Sequence, residues 1–275
     1  MKRPALLPTI GLNAVLGLAA LLATFPLLWM LSVSLMPTGA ASTYPPPLLP
    51  REITLEHYQQ LLTQGGIGRA FLNSFGLALA VTFLSTLTNT LAGYAFAKLR
   101  FWGRDRIFDG LIAALVIPGQ VAMLPLFLML KNMGLVNTWW GVLVPGLAGI
   151  FGIFLVRQYA RSIPSELIEA ARMDGAGEFR IFFLIILPVL KPVLVTLAVF
   201  AFLGSWNDFM WPLIVLTDGE MQTLPVALSS LSREHVQDSE LMMAGAVITI
   251  TPVLLLFLAL QRYYMQGLLM GSVKQ

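Results

Sequence analysis

The sequence predicts an all-α polytopic membrane protein of six transmembrane helices, with both termini cytoplasmic. Three observations carry that expectation. Of 275 residues, 57% are hydrophobic and only 11% are charged, less than half the share of about 25% usual in a soluble domain. The uncharged residues collect into six long stretches, and the basic residues collect on alternate sides of them. A soluble chain of this size with so few charges has too little polar surface to cover itself, which excludes an ordinary cytosolic enzyme. The 17 Lys and Arg against 14 Asp and Glu leave a net +3, without the basic stripe of a nucleic-acid module. Without cysteine there are no disulfides, thiolate metal sites or cysteine nucleophiles.

A spanning helix needs about 20 apolar residues, because the hydrocarbon core is about 30 Å thick and each residue rises about 1.5 Å. The first stretch runs from Thr9 to Met36, dense in Leu and Ala. It is too long and too interrupted by proline for a cleaved signal peptide, so it reads as a span. The second is Ala70 to Ala97, the third Gly110 to Leu130 and the fourth Asn132 to Val156. The fifth, Pro192 to Thr217, is interrupted by Asp208, and the last is Leu241 to Gln261. The chain therefore divides into an N-terminal transmembrane helix (1–36), an external loop (37–69), a five-helix core (70–265) and a tail (266–275).

With the N-terminus inside, thirteen basic residues are cytoplasmic: Lys2, Arg3, Lys98, Arg100, Arg104, Arg106, Arg157, Arg161, Arg172, Arg180, Lys191, Arg262 and Lys274. Four are external: Arg51, Arg69, Lys131 and Arg233. Cytoplasmic loops carry an excess of Lys and Arg, so this imbalance orients the chain. Carboxylates reinforce the polarity, with six inside, seven outside and Asp208 in a span.

The longest internal loop, 157–187, has a helical signature. Ser162 or Ser165 is a capping residue for a helix start, Pro164 suits a first turn, and Glu166 sits where the helix dipole favours an anion. Gly175 supplies the left-handed conformation that ends it. Ile163, Leu167, Ala170 and Ala171 are expected to form an apolar stripe, with Glu166, Glu169 and Arg172 opposite. The two adjacent alanines allow another surface to approach closely. By periodicity alone, the segment reads as a helical hairpin resting on the membrane interface.

Glu169-Ala170-Ala171, three residues, Gly175, nine residues, Ile185, one residue and Leu187-Pro188 resemble the EAA loop of ATP-binding-cassette importer permeases. Trp206-Asn207-Asp208-Phe209, Leu224-Pro225-Val226-Ala227-Leu228 and Met243 to Lys274 are similar to the carbohydrate branch, the maltose-type second permease. The ending Gly271-Ser-Val-Lys-Gln275 departs slightly from that branch's usual Gly-Ala-Val-Lys-Gly. The resemblance implies the type I importer fold and a sugar-importing permease subunit in a bacterial or archaeal plasma membrane. It also implies a heterodimer with a second permease, an ATPase dimer that uses ATP and Mg, and an extracytoplasmic solute-binding protein. The coupling residues it implies are Glu169, Ala170, Ala171, Asp174, Gly175, Leu187 and Pro188. In the same class, a glycerophosphate-type substrate is the alternative.

Polar residues within the spans are candidates for the path. An unpaired carboxylate at the bilayer centre costs about 3 kcal/mol. Asp208 lies 20 residues beyond Pro188, or about 30 Å along a helix, towards the external end between Trp206 and Trp211. It fits either a hydrated outer carboxylate or a pathway group. Gln120, Trp206 and Asn207 are further pathway candidates, although an amide also joins neighbouring helices in membranes. Pro118 and Pro125 interrupt the third stretch, giving either a kink or a helix lining the path. His57 and His235 lie in external loops. His235, near Glu234, Asp238 and Glu240, reads as part of a solvated acidic loop and not as a metal site. There is no Gly-rich Lys-Ser/Thr loop, so no nucleotide site is expected on this chain. A membrane-embedded enzyme would need a cluster of catalytic side chains at one face, and a self-sufficient channel or secondary transporter would need several intramembrane charges. Neither pattern is present.

Overall fold

The computed structural model describes residues 6–63, 66–234 and 238–270, and among them there are helices and no strands. Helix α1 is Leu6–Val33, α2 is Glu56–Thr63 and α3 is Ile67–Lys98. Then come α4 (Arg104–Ala114), α5 (Gly119–Asn132), α6 (Trp139–Gly146), α7 (Ile150–Arg161), α8 (Ser165–Met173) and α9 (Glu178–Ile181). A π turn, Phe182–Ile186, leads into α10 (Leu187–Trp206), followed by α11 (Met210–Val215), α12 (Leu224–Glu234) and α13 (Ser239–Met270). Among the described residues, five helical stretches are long and apolar enough to cross a membrane, and α4 with α5 makes a sixth if that bent pair is one span.

Three spans differ from the sequence expectation. The third does not run straight from Gly110 to Leu130, because α4 and α5 meet at 106°. Pro118 forces this break: the residue before a proline is driven out of the α region, and Pro118 itself has ψ 131°. Pro125 lies inside α5 without ending it. The fourth begins at Trp139, because Asn132 closes α5 and Gly134 (φ 70°) and Asn137 (φ 57°) turn the chain in left-handed conformations. Thr138 then caps α6, its Oγ1 accepting from the Gly141 amide at 3.2 Å. The fifth begins earlier and ends sooner than Pro192 to Thr217, running from Glu178 to Trp206. Asp208 therefore sits at a helix junction and not within a continuous span.

The chain forms two compact units. One comprises Met1–Gly68 and Ala227–Pro252. In it, the proline-rich stretch after α1 is held by specific bonds. Ser32 donates to the Leu48 carbonyl (2.7 Å), Ser34 and Tyr58 share a hydroxyl bond (2.7 Å), and His57 Nε2 meets the Met36 carbonyl (2.9 Å). Buried Glu240 accepts from the Ala41 amide at 2.7 Å. His235 lies outside the described residues.

The other unit comprises Arg69–Val226 and Val253–Gln275. One of its cores gathers Tyr94, Val156, Ile168, Ala171, Ile181, Phe182, Ile186 and Leu190 from α3, α7, α8, α9, the π turn and α10. A second core joins Leu77, Leu130, Val142, Leu143, Trp211 and Val215. Trp211 also donates its indole N–H to the Gly141 carbonyl at 3.1 Å, a bond a buried indole needs.

Candidate functional site

The helix expected between the fourth and fifth spans is α8, and its limits follow from local chemistry. Pro164, extended at ψ 134°, precedes it without a side-chain cap. Neither serine caps it, contrary to expectation; Ser162 Oγ instead donates back to the Tyr159 carbonyl at 2.7 Å. Leu, Glu, Ala, Arg and Met then supply good helix formers. Gly175, at φ 79°, ends the helix. Its amide bonds the Arg172 carbonyl (3.0 Å), and the Ala176 amide bonds that of Ala171 (2.9 Å). This pair of bonds defines a Schellman ending, in which glycine is favoured because its backbone is left-handed.

The faces of α8 correct the sequence reading. Ile168 and Ala171 are the residues buried, joining Ile163 against the core. Leu167 and Ala170 are exposed, so they are not part of the inward stripe. The two adjacent alanines thus split: Ala171 packs on the chain itself, and Ala170 faces out. At 100° per residue, Glu166, Glu169, Ala170 and Met173 share the outward face. Met173 is 88% exposed, and Phe179, just beyond the Gly175 turn, is 79% exposed.

Three ties fix α8 to the spans. Lys98, the last residue of α3, donates to the Ile163 carbonyl. Arg172 pairs with Glu178 at 2.7 Å, joining α8 to α9. Ile181, Phe182 and Ile186 continue the same core into α10. The π turn directly precedes Leu187-Pro188, and the Leu187 amide reaches back to the Phe182 carbonyl. A regular turn would direct the Leu184 carbonyl at a proline that has no N–H and whose ring needs the space; the wider turn relieves both problems. The residues of the motif thus belong to one continuous assembly, with Glu169, Ala170, Asp174 and Gly175 exposed, Ala171 buried, and Leu187 and Pro188 at the root of α10.

The pathway candidates do not converge. Trp206 is fully buried in an aromatic stack with Phe71 (5.6 Å) and Phe202 (5.8 Å). Asn207 donates to the Leu203 carbonyl at 2.9 Å, and Gln120 sits exposed at the start of α5. Asp208 alone of the four borders a cavity of about 310 Å³, with Ser85, Asn89, Gly146, Gly149, Gly152, Phe151, Phe200 and Ser205. Its carboxylate also accepts from the Trp211 amide at 3.3 Å, at the start of α11.

Sequence reasoning missed Ser85 and Asn89. Asn89 accepts from the Gly149 amide at 3.0 Å, and Thr88 bonds the Leu147 carbonyl; together they satisfy backbone groups freed between α6 and α7. The Ser85 hydroxyl is buried and has no hydrogen-bond partner among the described residues. A readable signal existed, since Ser85-Thr86-Leu87-Thr88-Asn89-Thr90 is a polar run in the middle of an apolar span. Among the described residues, no group of three or more His, Cys, Asp or Glu is placed to hold a metal.

A helical chain with several stretches long and apolar enough to cross a membrane, and an exposed, clasped helix between two of them, defines a multi-pass membrane protein. Residues 89–269 match the family described as binding-protein-dependent transport system inner membrane component. The arabinooligosaccharides transport system permease protein AraQ of Halalkalibacterium halodurans is 38% identical over 258 residues, covering 93% of this chain and 92% of its own. The lactose transport system permease protein LacG of Rhizobium radiobacter is 34% identical over 273 residues, covering 98% and 97%. A chain in the crystal structure of a bacterial ABC transporter involved in the import of the acidic polysaccharide alginate superposes with a TM-score of 0.84 at 26% identity, covering 96% of this chain and 100% of that one. The chain belongs to the family of binding-protein-dependent transport system inner membrane components.

Proposed function

We propose that this chain is the second permease subunit of an ATP-driven sugar importer, forming half of the transmembrane path with a partner permease. Relatives named for arabinooligosaccharide and lactose transport support the sugar class. An ATPase dimer, which holds the ATP and Mg, docks on α8 from the cytoplasm; an extracytoplasmic solute-binding protein delivers substrate on the opposite side. This chain holds no nucleotide. Both termini are cytoplasmic in this arrangement.

The observation that carries the reading is the outward face of α8, where Glu169, Ala170 and 88%-exposed Met173 lie on a helix clasped to α3 and α10. A force applied to that face passes through Ile168 and Ala171 into the core and along the π turn to the fifth span. Gly175 is the weak point. A side chain there must adopt a left-handed backbone, at about 1–2 kcal/mol, so the end of α8 unwinds or shifts. In the reconstituted complex, Gly175→Val is expected to insert and assemble while ATP hydrolysis no longer drives uptake. Normal uptake by that variant refutes the coupling role. Uptake that persists without the ATPase identifies a self-sufficient channel instead. Titrating the solute-binding protein with arabino-oligosaccharides and with glycerophosphodiesters separates the two substrate classes.

A further inference from the structure

The loop that ends α3 has a composition that transport does not use. Residues 98–109 carry four cations, Lys98, Arg100, Arg104 and Arg106, against Asp105 and Asp109. Two of the cations are committed internally. Lys98 bonds the Ile163 carbonyl, and Arg104 bonds both the Leu99 carbonyl (3.3 Å) and Asp105 (3.0 Å). Asp105 is shared with Arg157 at 3.7 Å, whose guanidinium lies 3.7 Å over the Phe108 ring. Arg100 and Arg106 remain exposed, and neither makes an ion pair or side-chain hydrogen bond among the described residues.

Between these two free cations stands Trp102, 93% exposed, with Phe101 (43%) and Ile107 (49%) beside it. Together Arg100–Ile107 line an open cleft of about 710 Å³ at the terminus of a 32-residue apolar helix. Water gives no reason to display an indole in this way. A bilayer surface does, because tryptophan settles at the headgroup level while guanidinium groups bind phosphate oxygens in bidentate fashion.

We propose that the cleft of Arg100, Trp102 and Arg106 seats the headgroup of an anionic phospholipid. Arg100 and Arg106 hold the phosphate, and Trp102 packs along the glycerol and upper acyl chain. Charge complementarity selects this occupant, since the free side chains of the cleft itself are two cations, and the inner leaflet supplies anionic lipid next to the end of a span. The proposal rests on the cytoplasmic orientation proposed above for this loop, but uses none of the sugar or coupling residues.

The test uses the full complex reconstituted in nanodiscs of phosphatidylcholine with phosphatidylglycerol, one of the two lipids brominated. The Trp102 contribution to fluorescence is the difference between the native chain and Trp102→Phe. Brominated phosphatidylglycerol is expected to quench that contribution several-fold more than brominated phosphatidylcholine, and Arg100→Gln with Arg106→Gln is expected to abolish the preference while uptake persists. Equal quenching by the two lipids in the native complex overturns the proposal. So does an unchanged preference in the double variant. Loss of the ATPase from the double variant, with equal quenching in the native complex, assigns the cleft to a protein partner instead.

Discussion

Gly93 and Gly110 are both helical glycines, yet they answer substitution in opposite ways. A Cβ at Gly93 would lie 2.6 Å from Val156 Cβ and 3.0 Å from the Arg157 amide nitrogen. Backbone cannot give as a side-chain tip can, so Gly93→Ala must push α3 away from α7. Overpacking of this kind costs about 1–3 kcal/mol, and the variant is expected to melt lower in detergent. At Gly110 nothing lies within 4 Å, and alanine there should hold or raise the melting temperature by the helix-propensity gain of up to about 1 kcal/mol. Asp208 separates charge from capping in the same spirit. Asp208→Asn keeps an oxygen for the Trp211 amide and is expected to preserve the melting temperature while lowering uptake. Asp208→Ala removes the cap as well, about 1 kcal/mol, and should lower both. Full uptake by the asparagine variant would reduce Asp208 to a cap.

Among the elements, α8 and α9 move as a pair only if their clasp holds. Arg172 and Glu178 are both about half exposed (44% and 48%), so breaking the pair should change stability by no more than about 1 kcal/mol. On the proposed coupling role of α8, its effect falls on coupling. Arg172→Glu sets two carboxylates against each other and is expected to cut uptake per ATP hydrolysed; adding Glu178→Arg should restore it. Failure of the double swap to rescue uptake would mean that Arg172 acts through another partner. The limits of α8 were legible in the sequence because its ending is local: Gly175 stops the helix whatever surrounds it. Its inward face was not legible, because Leu167 and Ile168 are both apolar and only the position of Tyr94, Val156 and Phe182 decides which one is buried. The helix junction at Asp208 was not legible for a related reason. Counting along a straight helix from Pro188 could not register that the helix begins at Glu178, passes through a π turn and stops at Trp206. Asn89 escaped notice because the backbone amide it accepts from, Gly149 at the break between α6 and α7, is 60 residues away in sequence.

The bent pair of α4 and α5 decides the topology of the whole molecule, because it determines whether the spans number five or six. If the pair dips into the bilayer and returns, every loop after it changes sides. The basic residues then fall eight on the N-terminal side (Lys2, Arg3, Lys98, Arg100, Arg104, Arg106, Lys131, Arg233) and nine opposite (Arg51, Arg69, Arg157, Arg161, Arg172, Arg180, Lys191, Arg262, Lys274). That distribution has no polarity. If the pair crosses, the division is thirteen against four. Positive charge is retained on the cytoplasmic side when loops are short, so the crossing arrangement accounts for where the arginines are and the re-entrant one leaves them scattered. A chain without cysteine allows a direct measurement with single introduced thiols. Met173→Cys on α8 and Thr217→Cys in the loop after α11 replace exposed residues. With six crossings, a membrane-impermeant maleimide added to intact spheroplasts is expected to label Thr217→Cys at once and Met173→Cys only after lysis. With five and the N-terminus inside, both outcomes invert, and α8 would face away from any cytoplasmic ATPase.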